Sequence, residues 1–442
     1  MVILKGCYTV KPAEPTPNNR LPLSEFDQAK PFILSPTVYF YRPIGNSVAS
    51  AIDTLRDSLS RVLVHFYPLA GRLYSIDGGR FELQCNAMGA LLFEAESESK
   101  MDDLGDFRPT PEIGELVPHV DHSTPVHEIP LLVVQLTRFR CGGVCIGMGI
   151  SYIIADGQSA LHFVGEWARI ARGEKLDTAP FLDREVFLDQ NPPAAPSFDH
   201  EEYSTPPSLI GGTDEKEQRE METTVAMLKL SKDQVEKLKK KANEGHNGRP
   251  YSRYEAVAGH IWRCACKARR HESDQMTKIR VTVDCRNRLQ PPLPKGYFGN
   301  ASLPTTPTSR AGELLSKPLG YASSRIREAV EKMTDEYIRS AIDFLRCHPD
   351  LSKFKTFHSL RCPQGAFFGN PNLDITSWMG LPIYGADFGW GKEFHMGPAK
   401  FLGVDGKSFI LQSPHADGSF IVPLCLQVDF MEAFNELLYQ DI

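Results

Sequence analysis

No stretch of this chain approaches the ~20 consecutive apolar residues that a bilayer crossing needs, which sets a transmembrane reading aside. The first residues, Met1 to Tyr8, lack a charged segment leading into an apolar core of roughly 7–15 residues. No secretory signal is expected, and the protein is expected in the cytoplasm. Basic residues are not massed either, the Lys-rich run at 237–241 being most simply a solvated helix face. Lys and Arg number 49 against 55 Asp and Glu, a formal charge of −6, and they are dispersed along the chain. Nucleic-acid binding depends on a basic footprint and is therefore not expected; the balance is compatible with a cationic small substrate. Ten cysteines are present, but neither Cys141-x3-Cys145 nor Cys264-Ala-Cys266 is joined by a second Cys or His cluster at zinc-site spacing, so buried reduced thiols are expected and no metal. No internal repeat of about 20 to 50 residues is found.

A length of 442 residues, 41% apolar and 24% charged, exceeds the size at which one hydrophobic core keeps growing, so two domains are expected. Ile52, Leu55, Leu59, Val62, Leu63 and Phe66 fall at helical spacing and then meet Pro68 and Gly71, which stop a helix. The apolar runs Leu131 to Phe139 and Val144 to Ile150 flank Arg140-Cys-Gly-Gly143 and predict a hairpin. Residues 191–212 hold five prolines with little periodicity and predict an exposed crossover linker. Residues 1–190 and 213–442 then form two α/β halves. In the second, Ser231-Lys-Asp-Gln234 resembles a capping box opening a helix. Further helices are predicted over 252–270, 312–333 and 335–347, with strands near 279–284, 409–412 and 421–428.

The most informative segment is Tyr-Ile-Ile-Ala-Asp-Gly at 152 to 157. The second hairpin strand runs straight into it, and Leu161, Val164, Trp167, Ala168 and Ala171 follow at helical spacing. The hexapeptide therefore sits on a turn from strand to helix, with Asp156 suited to cap the helix and Gly157 to permit a tight bend.

Three widely separated motifs resemble the BAHD plant acyl-CoA-dependent acyltransferases: this hexapeptide, Asp387-Phe-Gly-Trp-Gly391, and Tyr297-Phe-Gly-Asn300 preceded by Val283-Asp-Cys-Arg-Asn-Arg288. Similar wording at His65 to Leu73, Pro180 to Asp183 and Trp262 to Arg269 extends the likeness nearly end to end. Within the family, Cys7 to Pro15, Gly157 to His162 and Phe368 to Leu373 are most similar to spermidine hydroxycinnamoyl transferases. The resemblance implies two chloramphenicol-acetyltransferase-like α/β domains with mixed sheets and helices. It also implies an active-site tunnel at their interface, a segment around 370–393 crossing back to the first domain, a monomer, acyl-CoA as co-substrate and no tightly bound cofactor.

Acyl transfer from a thioester needs a base for the nucleophile, donors for the tetrahedral oxyanion and a passage that brings both substrates together. In the family, a His opening His-x-x-x-Asp-Gly supplies the base. Four residues before Asp156 stands Tyr152. With an ordinary pKa of ~10, only about one part in a thousand of a tyrosine is phenolate at neutral pH, and loss of a general base costs about 10²–10⁴ in rate. Tyr is also bulkier than His and would crowd the junction of the two substrates. His65, His162 and His260 lie in helical patterns, while His358 and His395 are possible spatial replacements. A shifted register would make Ser151 the reactive hydroxyl.

The resemblance further implies that Asp156 pairs with Arg286 to shape the loop, that Thr376 orients substrate, that the Trp378 indole N–H lies near the oxyanion, and that Asp387, Gly389 and Gly391 support the CoA channel. Ser252 and Arg253 at a helix start are candidates for CoA phosphate, with Lys295 and Asn300. Asp374, Glu336 and Asp343 are candidates to hold a polyamine. Three functions stay open: hydroxycinnamoyl transfer from CoA to an amine of a polyamine such as spermidine, weakened or altered by Tyr152; a repurposed enzyme performing lyase, condensation or cyclisation chemistry on a polyamine- or alkaloid-like intermediate; and a non-catalytic binding protein or inactivated variant.

Overall fold

The computed structural model describes residues 2–43, 51–121, 123–187, 193–212, 215–355, 368–401, 405–440 and 442. The strand Val144–Ser151 is buried along its whole length, as its unbroken apolar run predicts, and it is the centre from which the first half is built. It pairs antiparallel with Leu132–Phe139 on one side and Leu34–Tyr41 on the other. The complete sheet runs Val2–Val10, Ala90–Ser97, Leu132–Phe139, Val144–Ser151, Leu34–Tyr41, His395–Pro398. Gly147 is required in the central strand because a Cβ there would meet the Leu116 carbonyl oxygen at 1.8 Å.

The helices Ala51–His65 and Gly157–Ala171 pack together over this sheet. The first buries Leu55, Leu59, Val62 and Leu63, the residues its 3.6-residue period selects. The second buries Phe163 and Trp167, whose indole N–H donates to Ser58 Oγ at 2.9 Å. Each fully buried aliphatic side chain contributes roughly 1.5–3 kcal/mol relative to exposure.

The second sheet runs Ser302–Thr305, Met276–Asp284, Leu373–Ser377, Lys407–Gln412, Phe420–Gln427, Thr223–Leu230, with Thr308–Arg310 pairing off Met276–Asp284. The helix Arg253–Ala268 packs against Leu319–Glu331, Val428–Gln440 and Lys232–Ala242 around it. The last of these opens with the predicted capping box, in which Ser231 and Gln234 bond each other's backbone N–H. Both sheets are mixed and both carry helices, the α/β class that the sequence predicts.

Three expectations need correction. The helix predicted over 312–333 is two, Ala311–Ser316 and Leu319–Glu331, because Pro318 forces Lys317 into extended backbone. Part of 370–393 does cross to the first half, where Ile383, Ala386 and Phe388 are buried in its core and the Tyr41 hydroxyl donates to the Ala386 carbonyl at 2.7 Å. The strand that joins the first sheet, however, is His395–Pro398, just beyond it, while Leu373–Ser377 lies in the second sheet. The described part of the linker is only partly exposed. Ser340 Oγ accepts the Ser197 and Phe198 N–H groups at 2.9 and 3.2 Å, and His200, buried, lies 3.0 Å from the same oxygen. These bonds dock the crossover onto the second half.

Candidate active site

The turn at 152 to 157 is held from three directions. Tyr152 donates its backbone N–H to the Ile33 carbonyl at 2.9 Å. Asn300, fully buried, donates its side-chain amide to the Tyr152 and Ile153 carbonyls at 2.9 and 3.1 Å and to Asp27 at 2.8 Å. Asp156 caps the helix that follows, accepting the Ser159 N–H at 3.0 Å. Its two oxygens also accept both terminal nitrogens of Arg286 at 2.9 Å each and the Ala301 N–H at 3.0 Å. Burial alone would raise the Asp156 pKa, but the Arg286 guanidinium outweighs it and holds the carboxyl below its ordinary value. The pair thus locks the strand-to-helix turn of the first half to the loop after Asp284 in the second.

Beside this lock lies a cavity of about 290 Å³ walled by both sheets. From the first half come Thr37, Tyr39, Tyr152, Gly157 and Leu161. From the second comes one face of three adjacent strands, read at alternate residues: Arg280, Thr282 and Asp284; Asp374, Thr376 and Trp378; Lys407 and Phe409. Register aligns them into rows, with Arg280 beside Asp374 and Asp374 beside Lys407. Lys407 Nζ donates to Asp374 at 2.8 Å, and the Thr376 hydroxyl donates to the same carboxylate at 3.3 Å. Trp378 packs on Phe409 with ring centroids 4.8 Å apart. Burial pushes the Tyr152 phenol well above its ordinary pKa, and the Asp374 and Asp156 carboxylates push the same way.

Residues 1–441 match the family described as the transferase family. Over 450 aligned residues and the full length of both chains, the protein is 52% identical to hydroxycinnamoyl-CoA:piscidic acid hydroxycinnamoyltransferase of Actaea racemosa. It is 45% identical to shikimate O-hydroxycinnamoyltransferase of Nicotiana tabacum, covering 99% of each. The chain belongs to the BAHD acyltransferases. Its fold is similar to the crystal structure of vinorine synthase, with a TM-score of 0.74 at 22% identity over 98% of this chain and 96% of that one. BAHD enzymes take acyl-CoA as co-substrate and hold no tightly bound cofactor.

Within this BAHD fold, Tyr152, Asp156, Gly157, Arg286, Asp374, Thr376 and Trp378 all line the one cavity. Gly157 opens the helix in ordinary helical backbone, and a Cβ there would meet Leu381 at 3.5 Å, an ordinary contact; the bend does not demand glycine. Asp387 lies off the cavity. Its carboxylate accepts the N–H groups of Gly389 and Gly391 at 2.8 and 3.0 Å, and both glycines have positive φ, 97° and 93°.

The remaining candidates are elsewhere. Ser252 caps its helix in a capping box, and Arg253 is paired with Glu236 at 2.5 Å. Lys295 is exposed and outside the lining. Asn300 spends its amide on the Tyr152 turn rather than on a ligand. Glu336 and Asp343 sit on the helix Asp335–Cys347, outside the lining, with Asp343 3.9 Å from Arg346. Their sequence signal was charge alone, which does not tell a cavity wall from a helix face.

No histidine lines the cavity among the described residues. His65 is exposed, while His162 and His260 bond the Thr178 and Leu438 carbonyls at 2.9 and 2.8 Å. His395 is buried against Phe107, which holds its pKa down to about 4, and it lies outside the lining. His358 falls outside the described residues. Ser151 is fully buried and off the cavity, so the shifted register does not bring its hydroxyl to a substrate. Sequence reasoning missed Arg280 and Lys407. Arg280 carried a signal, since Lys278, Arg280, Thr282 and Asp284 alternate with Ile279, Val281 and Val283, while Lys407 carried none, being followed on its face by Phe409 and Leu411. No helix among the described residues is long and apolar enough to cross a membrane.

Proposed function

We propose that this protein transfers a hydroxycinnamoyl group from CoA to a nucleophile on a small acceptor, in the cavity between its two large sheets, with Tyr152 standing where the family's base stands. The two sheets are read as the cores of two domains, 1–190 and 213–442. The observation that supports this most is the convergence of Tyr152, Thr376 and Trp378 on one cavity beside the Asp156–Arg286 lock. In the reaction the acceptor's N or O forms a bond to the thioester carbonyl, the C–S bond breaks, and the nucleophile's proton is passed on as CoA leaves as its thiol. Trp378 is suited to face the developing oxyanion and Thr376 to orient the acceptor. The phenol of Tyr152, held protonated by its burial, is a poor proton acceptor. Turnover therefore depends on a nucleophile that is already deprotonated, or proceeds slowly.

The narrower expectation of a polyamine acceptor rests on three carboxylates, of which only Asp374 lines the cavity, already bonded to Lys407. The two relatives named above act, by their names, on piscidic acid and shikimate. The polyamine version is therefore the weaker form of the proposal. A second reading is favoured by the raised pKa of Tyr152: a phenol kept protonated on the cavity wall is suited to donate a hydrogen bond or a proton, as a repurposed lyase or cyclase would require.

The test is mass-spectrometric product analysis of the wild type and the Tyr152→His variant, with coumaroyl-, caffeoyl- and feruloyl-CoA and a panel of hydroxy acids, amino acids and spermidine. Ester or amide formation by the wild type supports the first reading. Transfer by the His variant alone points to the second, and no transfer by either rejects the first.

A further inference from the structure

A buried lysine stands behind the cavity wall. Lys30 follows the short helix Glu25–Gln28 and is 4% exposed. Its Nζ crosses to the second half, donating to the Ser302 carbonyl at 3.2 Å and to the Ser302 hydroxyl at 3.4 Å, and lies 5.4 Å from the centre of the Tyr152 ring. Ser302 and Tyr152 both line the cavity. Register puts the serine there: Ser302 pairs with Asp284, on the face of the strand Met276–Asp284 that forms the wall. Among the described residues the Ser302 hydroxyl has no other hydrogen-bond partner, so it can meet a ligand while still touching Lys30.

The surroundings of the amine favour its neutral form. Burial is the largest influence and holds its pKa down to about 8. The carboxylates that act on it, Asp156 and Asp27, are each bonded to an arginine, at 2.9 and 2.6 Å. Cys285, whose thiol burial pushes up to about 12, and Tyr152 are uncharged neighbours, and Arg280 opposes a second positive charge. At pH 7 about a tenth of such an amine is unprotonated, against less than about one part in a thousand for an ordinary lysine. A desolvated lysine is suited to accept a proton.

We propose that Ser302 and Lys30 form the proton path of this site, the Ser302 hydroxyl taking the acceptor's proton as it passes its own to the Lys30 amine. The inference rests on the acyl-transfer reading and supplies what Tyr152 does not. As the acceptor oxygen bonds to the thioester carbonyl, its proton moves to Ser302 Oγ and the serine proton to Nζ. When the C–S bond breaks, the ammonium returns a proton through Ser302 and CoA leaves as its thiol. The amine and the hydroxyl end as they began. The 3.4 Å link is long for proton transfer, as such contacts often are before substrate binds, and a path of two steps is slower than one histidine in direct contact. Ser302 touches the substrate, while Lys30 acts through it.

The experiment measures rates with coumaroyl-CoA and two hydroxyl acceptors, shikimate and piscidic acid, whose alcohols do not titrate near pH 8. Lys30→Met, Ser302→Ala and Ser302→Thr are each made in the wild type and in Tyr152→His. Wild-type kcat is expected to rise through about pH 8. Lys30→Met and Ser302→Ala should lower it by about 10²-fold, the low end for loss of a general base, remove that rise and leave both KM values within about twofold. Ser302→Thr, which keeps the hydroxyl, should retain the rise. In Tyr152→His the imidazole takes the proton directly, so the same changes should cost under about threefold. Ser302→Ala keeps the test open should Lys30→Met fold poorly. An unchanged kcat and pH profile in both variants overturns the proton path and leaves acyl transfer standing. Equal losses in both backgrounds also overturn it, since Lys30 would then only tie the two halves together. Transfer by Tyr152→His alone overturns it as well, and no transfer by either protein removes the acyl-transfer reading along with it.

Discussion

Removing the Asp156 carboxylate, in Asp156→Ala, should destabilise the whole protein more than it harms any one chemical step. Four hydrogen bonds converge on this buried group: two from Arg286 at 2.9 Å, one from Ser159 N–H and one from Ala301 N–H, each at 3.0 Å. Loss of the helix cap costs about 1 kcal/mol. The Ala301 N–H loses its partner and the Arg286 charge keeps only Asp284, and breaking a buried pair from one side costs about 3–5 kcal/mol, a figure taken to include these neighbours. For 442 residues the unfolding entropy at about 2.1 cal/mol/K per residue amounts to ~0.9 kcal/mol/K. The melting temperature should therefore fall by about 3–5 °C, read by circular dichroism. Because the Asp156 pKa is depressed by folding, its stabilisation is present above the ordinary carboxylate pKa of ~3.9 and is lost as pH falls through the lower folded value. The deficit of the variant should be constant from about pH 5 to 8 and should shrink below about pH 4. A melting change under about 1 °C with a collapse in kcat would refute the structural role and place Asp156 in the chemistry instead.

Other perturbations give separate readings. Tyr152→His should raise acyl transfer by about 10²–10⁴ and introduce a pH profile rising through about 6.5, the ordinary His value; an unchanged rate means that proton removal does not limit turnover. Lys30 is buried beside Tyr152, with Nζ donating to the Ser302 carbonyl at 3.2 Å, and burial holds its pKa down to about 8 from 10.5. The folded state then binds fewer protons than the unfolded state between those values, so stability should rise by about 3 kcal/mol across that window. Urea midpoints from pH 7.5 to 10.5 should show this rise in the wild type and its absence in Lys30→Met. Gly147→Ala should cost upwards of about 2 kcal/mol, because the new methyl meets the Leu116 backbone rather than a side chain that can rotate away; a urea midpoint equal to the wild type would contradict it.

Local elements were legible in the sequence wherever one physical signal dominated. The hairpin at 132–151 follows from two apolar runs around Gly142 and Gly143, and the capping box at Ser231 from its side chains. The strand-to-helix turn at Tyr152 was equally clear. The helix break at Pro318 was available in the sequence and was passed over because apolar periodicity continues on both sides of it. Neighbours in space were harder to read. Arg280, Asp374 and Lys407 are separated by 94 and 33 residues yet share one row of a parallel ladder, and no local pattern announces which strands will lie side by side. For the same reason the acidic Glu336 and Asp343 gave no sign in the sequence of lying outside the cavity lining.

The short strand His395–Pro398 finishes a sheet whose other members all lie before residue 152. During synthesis, the open flank of Leu34–Tyr41 must therefore wait for more than 350 further residues to leave the ribosome. At about 5–20 residues per second that is roughly 18–70 s with bare N–H and C=O groups on a hydrophobic strand. An unpaired edge of this kind invites pairing with another chain. The birth of this protein is thus its most vulnerable moment, and its yield in a foreign host should depend on translation speed and chaperone supply before it depends on the stability of the finished fold.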